Sequence, residues 1–183
     1  MSWNNFHNRG EILRAVIDTA NDRRDGLLPV GVPGVAENFT DNLDLIGALL
    51  LKWHARLSGN IESALAREPL DLETAVAAAW RTTAEQMPGV RLVIDRCLEF
   101  PESPAMEQTM NRVRKQEWVR LATIAGLANS QDCVAIAAGR RVEERAREGL
   151  ATSAVETVST PAPVNCPVTE TSFVDRIRAV LAA

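Results

Sequence analysis

Apolar residues recur at helical spacing along most of the chain, and the most regular stretch runs from Asp41 to Arg67. Its apolar side chains cover one face of a 3.6-residue period, and polar side chains cover the opposite face. Asp41 is suited to cap the first turn, because its carboxylate can accept from free backbone amides. Glu68 precedes a proline, which disfavours helical geometry and ends the helix. The pattern therefore predicts a central buried helix over residues 41–67.

Shorter amphipathic stretches lie before and after this helix and are separated by proline and glycine. They predict an all-α bundle of five or six helices within residues 1–150. Pro88 leaves two alternatives open, which are two consecutive helices or one sharply kinked helix. The last stretch has small residues on its inner face, which favours close approach to a neighbouring helix. The predicted helices cover about 2–24, 41–67, 71–87, 88–98, 104–128 and 131–148, with a long loop over 27–40.

The composition changes after Leu150. Residues 151–171 are rich in threonine, serine, valine and proline without a period, which predicts a flexible, disordered linker. Residues 172–183 regain a helical period and predict a short amphipathic helix whose apolar face can dock on another protein, on another copy of this chain or on the bundle itself. A disordered end with an accidental period is the alternative. The candidate interaction face consists of Phe173, Ile177, Val180 and Leu181.

Net charge and hydropathy limit the classes of partner. The formal charge of −4 argues against nucleic acid, which needs a concentrated basic surface. Neither a secretory segment nor an apolar run long enough to span a bilayer is visible, so we expect a cytoplasmic protein without membrane insertion. Cys97, Cys133 and Cys166 are an odd number without metal-ligand spacing and predict reduced thiols.

Glu117 is the residue that departs most clearly from its surroundings, because it falls within the apolar stripe of its helix. A buried carboxylate is costly unless it is paired, and such groups often mark functional sites. His54 lies at the edge of the central helix's stripe and is a candidate partner for Glu117, and an arginine from a facing helix is the other candidate. The two residues form a candidate buried polar site. A structural ion pair is the alternative, in which leucine at position 117 would be tolerated.

No sequence motif supports a known catalytic or cofactor chemistry. A di-iron bundle needs two Glu-x-x-His pairs, whereas the chain has only two histidines and the residue three positions before His54 is Leu51. The Asn21–Gly26 stretch fails as a calcium loop, because Arg23 stands at a ligand position. Phosphate-binding glycine loops and the hydrolase nucleophile motif are also missing from the sequence. We therefore expect neither a metal nor a cofactor.

Two groups of charges remain. Those over 140–148 mix both signs, which is typical of a solvated, salt-bridged face. Arg112, Arg114, Lys115 and Arg120 form a denser basic cluster that suits an acidic partner.

The sequence favours a non-enzymatic protein-interaction or regulatory module. The alternative is a small ligand-binding or enzymatic bundle with a pocket around Glu117 and His54.

Overall fold

Seven helices and no strand occupy the part of the chain that the structure describes, so the predicted all-α class is confirmed. The structure is a computed structural model that describes the backbone of residues 3–68, 70–130 and 132–158, and side chains between residues 8 and 152 of those ranges. The helices are α1 (Trp3–Arg23), α2 (Val35–Asn38), α3 (Asn42–Arg67), α4 (Leu72–Gln86), α5 (Pro88–Glu99), α6 (Pro104–Ile124) and α7 (Cys133–Val158).

Helix α3 is the predicted central helix. The Asp41 side chain accepts a hydrogen bond from the Asp44 backbone amide at 2.7 Å and caps the first turn, as expected. The helix packs most extensively against α4. Its inner face is formed by Leu45, Ile46, Leu49, Leu50, Trp53, Leu57 and Ile61, all of them buried.

The helix count exceeds the prediction by one because the segment over 27–40 contains α2. This single turn follows Gly34, whose φ of 88° lies in the left-handed region that favours glycine. Val35 and Phe39 are buried in the main core. The segment therefore covers the bundle through these side chains instead of extending into solvent.

The chain breaks between α4 and α5, which decides between the two alternatives at Pro88. Met87 has φ −133° and ψ 53°, so the path is interrupted there, and Pro88 begins a new helix. Gly89 follows and approaches the backbone of α1 so closely that a Cβ atom would overlap the carbonyl of Ala20. The tight contact fixes the end of α1 against the start of α5.

Helices α6 and α7 pack through the small residues that the sequence predicted. Ala135, Ala138, Val142 and Ala146 are buried, and Gly139 lies against the α6 backbone at Trp118. Helix α6 ends earlier than predicted, because Gly126 adopts a φ of 70° and closes the C-terminus. Helix α7 starts after Asp132, whose side chain caps its first amides.

Replacing Gly139 with alanine should destabilise the fold by about 1–3 kcal/mol, because the added methyl group has to push α7 away from α6. A Cβ atom there would overlap the Trp118 backbone carbonyl. Gly47→Ala on α3 is the matched control. Its Cβ meets nothing within 4 Å, and we expect a gain of about 0.5–1 kcal/mol from higher helix propensity. Urea denaturation measures both values, and a stabilising Gly139→Ala would contradict the close α6–α7 contact.

Contacts between residues divide the chain into two units, Met1–Ala151 and Thr152–Ala183. The bundle described above belongs to the first unit. Helix α7 continues to Val158, past the predicted end near Glu148 and into the predicted linker over 151–171, so the start of that linker is helical instead. No strong helix breaker occurs before Pro161, and threonine or serine costs a helix only a few tenths of a kcal/mol. The rest of the predicted linker and the predicted helix over 172–183 lie outside the described residues.

Candidate functional site

Glu117 lies on the buried face of α6, with 7% of its surface exposed, and its carboxylate meets three side-chain nitrogens. Oε2 accepts a hydrogen bond from the indole Nε1 of Trp53 at 3.0 Å and lies 2.9 Å from Nε2 of His54. Oε1 accepts from Nε1 of Trp80 at 3.2 Å. The structure therefore brings together both residues of the sequence-predicted polar site and adds two indoles.

The helical patterns explain how these donors converge. Trp53 and His54 are consecutive on α3, with Trp53 on the fully buried face and His54 at its edge. Trp80 is fully buried on α4. The two indole rings pack edge to face, with centroids 5.6 Å apart. A buried indole needs an acceptor for its N–H, and Glu117 serves both rings.

Arg91 on α5 is the arginine nearest to Glu117. The sequence predicted an arginine from a facing helix as one candidate partner but did not identify which residue it is. It is 7% exposed, and its Nη1 lies 3.9 Å from Glu117 Oε1. Its guanidinium carbon lies 4.9 Å from the ring centroid of Trp53 and 5.7 Å from that of Trp80. Nη2 donates to Asp95 Oδ1 at 2.7 Å. The Nε atom is buried without a hydrogen-bond partner among the described residues.

Asp95 extends the polar cluster to α7. Arg147 donates to both of its carboxylate oxygens, at 3.0 Å and 2.7 Å. The Nε of Arg147 also donates to Glu143 at 2.8 Å, and Trp118 donates to the other oxygen of Glu143. The carboxylate network, as we name it, comprises Glu117, Asp95, Glu143, Arg91, Arg147, His54 and the indoles of Trp53, Trp80 and Trp118.

The network corrects one sequence expectation. Arg140 pairs with Glu144, and Arg145 pairs with Glu73 on α4, as a solvated, salt-bridged face would. Glu143 instead turns inward and is 8% exposed, and Arg147 is half-buried. The mixed-sign stretch over 140–148 therefore includes two members of the buried network. Glu143 and Arg147 lie on the side of α7 that contacts α5, where Arg147 binds Asp95.

The network favours the ionised form of its carboxylates. Burial alone would raise the pKa of Glu117, but the hydrogen bond from His54 and the charge of Arg91 outweigh it, so this pKa lies below its ordinary value. Burial also opposes ionisation of Asp95, and the arginines at 147 and 91 overcome it and lower that pKa. Glu117 and Asp95 are therefore negative at neutral pH.

The geometry leaves little space for a substrate around Glu117. Both of its oxygens accept hydrogen bonds, and the cavity beside it measures about 10 Å³. This volume is at the lower limit for a single water molecule. No group of three His, Cys, Asp or Glu side chains with metal-binding arrangement occurs among the described residues. The arrangement is suited to joining four helices, α3 to α6, through one carboxylate.

Larger openings lie on the surface. The first, the basic groove, measures about 700 Å³ and runs along α6 beside α7. Its lining includes the half-buried apolar side chains of Val119, Ile124 and Ile136, which we call the floor, and the exposed cations Arg112, Lys115 and Arg120. Three of the four residues of the predicted basic cluster thus meet at this groove. Arg114 instead stacks over Trp118, with its guanidinium carbon 4.9 Å from the ring centroid.

Two further clefts are present. One, of about 470 Å³, lies where the carboxylate network reaches the surface between α5, α6 and α7. The other, the α1–α3 cleft, measures about 750 Å³. The predicted interaction face in the tail, formed by Phe173, Ile177, Val180 and Leu181, lies outside the described residues and remains a prediction.

No protein-family model, curated protein or solved structure matches the chain. Among the helices that the structure describes, none combines the length and the apolar character that crossing a lipid bilayer requires.

Proposed function

We propose that this chain is a non-enzymatic protein-interaction module whose basic groove binds an acidic amphipathic helix of a partner protein. The observation that carries the proposal is the combination, in one groove of about 700 Å³, of an apolar floor and three cationic side chains. No carboxylate is among the residues that line it. An amphipathic helix laid into an apolar groove is a recurrent mode of peptide recognition.

The apolar floor supplies the attraction. Val119 and Ile124 on α6 and Ile136 on α7 are only half-buried, so part of their apolar surface stays in contact with water. Covering apolar surface contributes about 25 cal/mol per Å². The floor combines residues of two helices that Gly139 holds in close contact. The groove is therefore a preformed surface, which lowers the ordering cost of binding.

The cations select the charge of the partner. Arg112 and Lys115 are exposed and make no ion pair with the described part of the chain. Arg120 donates to the Ser58 hydroxyl at 2.6 Å and is held at the edge of the groove. The groove is therefore locally positive, although the whole chain has a formal charge of −4. Complementary charges at the edge of an interface increase association rates and exclude basic partners.

The dimensions fit a short helix. Arg112 and Ile124 are separated by about 18 Å along α6, at 1.5 Å per residue. A partner helix of about three turns covers this distance. The alternative function, a pocket around Glu117 and His54, has less support, because the cavity beside Glu117 is only about 10 Å³.

Lys115→Glu should weaken binding of an acidic helix about tenfold, because it replaces attraction by repulsion at the groove. The probe is a designed, fluorescently labelled helix of about three turns, with leucines along one face and glutamates beside them. Fluorescence anisotropy at low ionic strength measures its dissociation constant.

The chain offers a matched control, since its only other lysine, Lys52, lies outside the groove. Lys52→Glu makes the same charge change and should leave peptide binding nearly unchanged. A peptide with lysines in place of glutamates should not bind. Equal weakening by both variants, or no binding of the acidic peptide to the unchanged protein, would contradict the proposal.

A further inference from the structure

The α1–α3 cleft is separate from the basic groove and from the carboxylate network. Its volume of about 750 Å³ is within the usual range for small-molecule sites. Residues of α1 and α3 and the end of α4 line it. The polar groups that decide its chemistry are Arg14, Asp18, Asn21, Lys52, Arg56 and Gln86.

The charged side chains of the cleft are mostly cationic. Arg14 comes from α1, whereas Lys52 and Arg56 are four residues apart on α3 and share one face. All three are exposed, and none makes a hydrogen bond or ion pair with the described part of the chain. Asp18 is the one carboxylate among the lining residues, so the lining has a formal charge of +2.

The carboxamide of Asn21 adds a hydrogen-bond donor. Its Oδ1 accepts from the Gly89 backbone amide at 3.0 Å. A backbone N–H can only donate, so the orientation of the carboxamide is fixed and the NH₂ group occupies the other side. The close contact between Gly89 and the backbone of Ala20 holds this arrangement in place.

A chain of hydrogen bonds likewise fixes the Gln86 carboxamide, so that its oxygen accepts and its NH₂ group is left as a donor. The buried Thr83 hydroxyl donates to the Ala79 carbonyl at 2.7 Å, so its oxygen is left to accept. It accepts from Nδ2 of Asn60 at 2.9 Å, and the same Nδ2 donates to Gln86 Oε1 at 3.2 Å. The oxygen of Gln86 is therefore occupied, and its NH₂ group remains as a donor.

We infer that the α1–α3 cleft binds a phosphate monoester. The lining residues include three cations and two carboxamides whose oxygens are already occupied, but only one carboxylate, so the cleft offers mainly donors and positive charge. A phosphate monoester carries a charge of about −1.5 to −2 at neutral pH and three acceptor oxygens. It therefore matches both the formal charge of the lining and the excess of donors. Two of the cations are arginines, whose planar forks suit phosphate oxygens.

Isothermal titration calorimetry of the full chain with glycerol 3-phosphate at low ionic strength tests this inference. We expect saturable binding that weakens about tenfold in Lys52→Glu and in Gln86→Glu. The glutamate at 86 keeps the oxygen that accepts from Asn60 and replaces the NH₂ donor by a negative oxygen. Both positions are exposed, so both variants should fold, and thermal unfolding checks this.

The matched controls are Lys115→Glu and Gln116→Glu, which make the same changes in the basic groove. They should leave glycerol 3-phosphate binding unchanged. A second arm uses phosphatidylcholine vesicles that contain phosphatidic acid, whose headgroup is also a phosphate monoester. Vesicle binding that Lys52→Glu abolishes, without binding of glycerol 3-phosphate, would identify a lipid headgroup as the source of the phosphate. Binding in neither arm, or equal weakening by the control variants, would overturn the inference.

Discussion

Trp80→Ala should lower the free energy of unfolding by about 3–5 kcal/mol, because it removes a large, fully buried side chain and leaves a cavity. The indole contributes more than volume. It packs edge to face with Trp53 and donates to Glu117. The guanidinium carbon of Arg147 also lies 4.9 Å from its ring centroid. Urea denaturation followed by circular dichroism measures the change.

Two further variants separate the contributions at Trp80. Trp80→Phe keeps most of the packing but removes the N–H donor, so its loss should be smaller than that of alanine. Leu51→Ala on α3 is the surface control. Leu51 is 70% exposed, and its removal should change stability by no more than about 0.5 kcal/mol. A loss below about 1 kcal/mol for Trp80→Ala would show that the site collapses without leaving a cavity.

Glu117→Leu should also cost about 3–5 kcal/mol, because it leaves a buried cation and several buried donors without their acceptor. Trp53, Trp80 and His54 lose a hydrogen-bond partner, and Arg91 loses a nearby negative charge. Glu117→Gln retains one oxygen and should lose less. Gln116→Leu, the neighbouring exposed position on α6, is the control and should stay within about 0.5 kcal/mol of the unchanged protein.

The effect of Glu117 depends on pH in a defined direction. Its folded-state pKa lies below the ordinary 4.5, so its ionisation stabilises the fold above that value. The stabilisation disappears as the pH falls through the lowered folded-state pKa. The difference in stability between the protein and Glu117→Leu should therefore shrink in acid. A leucine variant as stable as the unchanged protein at neutral pH would show that the donors find other acceptors.

The sequence predicted that leucine would be tolerated at position 117 if Glu117 formed a simple ion pair, because it did not reveal how many donors the carboxylate accepts from. The sequence predicted a single partner for Glu117, either His54 or an arginine, and an isolated buried pair of this kind can be replaced by apolar residues. The carboxylate in fact serves two indoles, a histidine and a nearby arginine. One sequence signal was available, because Trp53 and Trp80 both fall within apolar stripes of the sequence and a buried indole needs an acceptor. Glu117 was the only acid placed within an apolar stripe.

Local patterns predicted the helices well where caps and breakers were present. Asp41 capped α3, and Pro88 separated α4 from α5. The early end of α6 depends on the left-handed conformation of Gly126, which spacing of apolar residues does not reveal. Arg91 was not identified as the arginine partner of Glu117, because it lies beside the apolar stripe of α5, where an arginine usually reaches solvent. Its burial depends on two rings and a carboxylate from other helices.

The indole contacts also determine which part of the protein its intrinsic fluorescence detects. The chain has four tryptophans and no tyrosine, so its near-ultraviolet absorption and intrinsic emission come almost entirely from indoles. Trp53, Trp80 and Trp118 each donate to Glu117 or Glu143. Intrinsic fluorescence is therefore a built-in optical probe of these two carboxylates. It reports on the interior where the helices meet, without an added label.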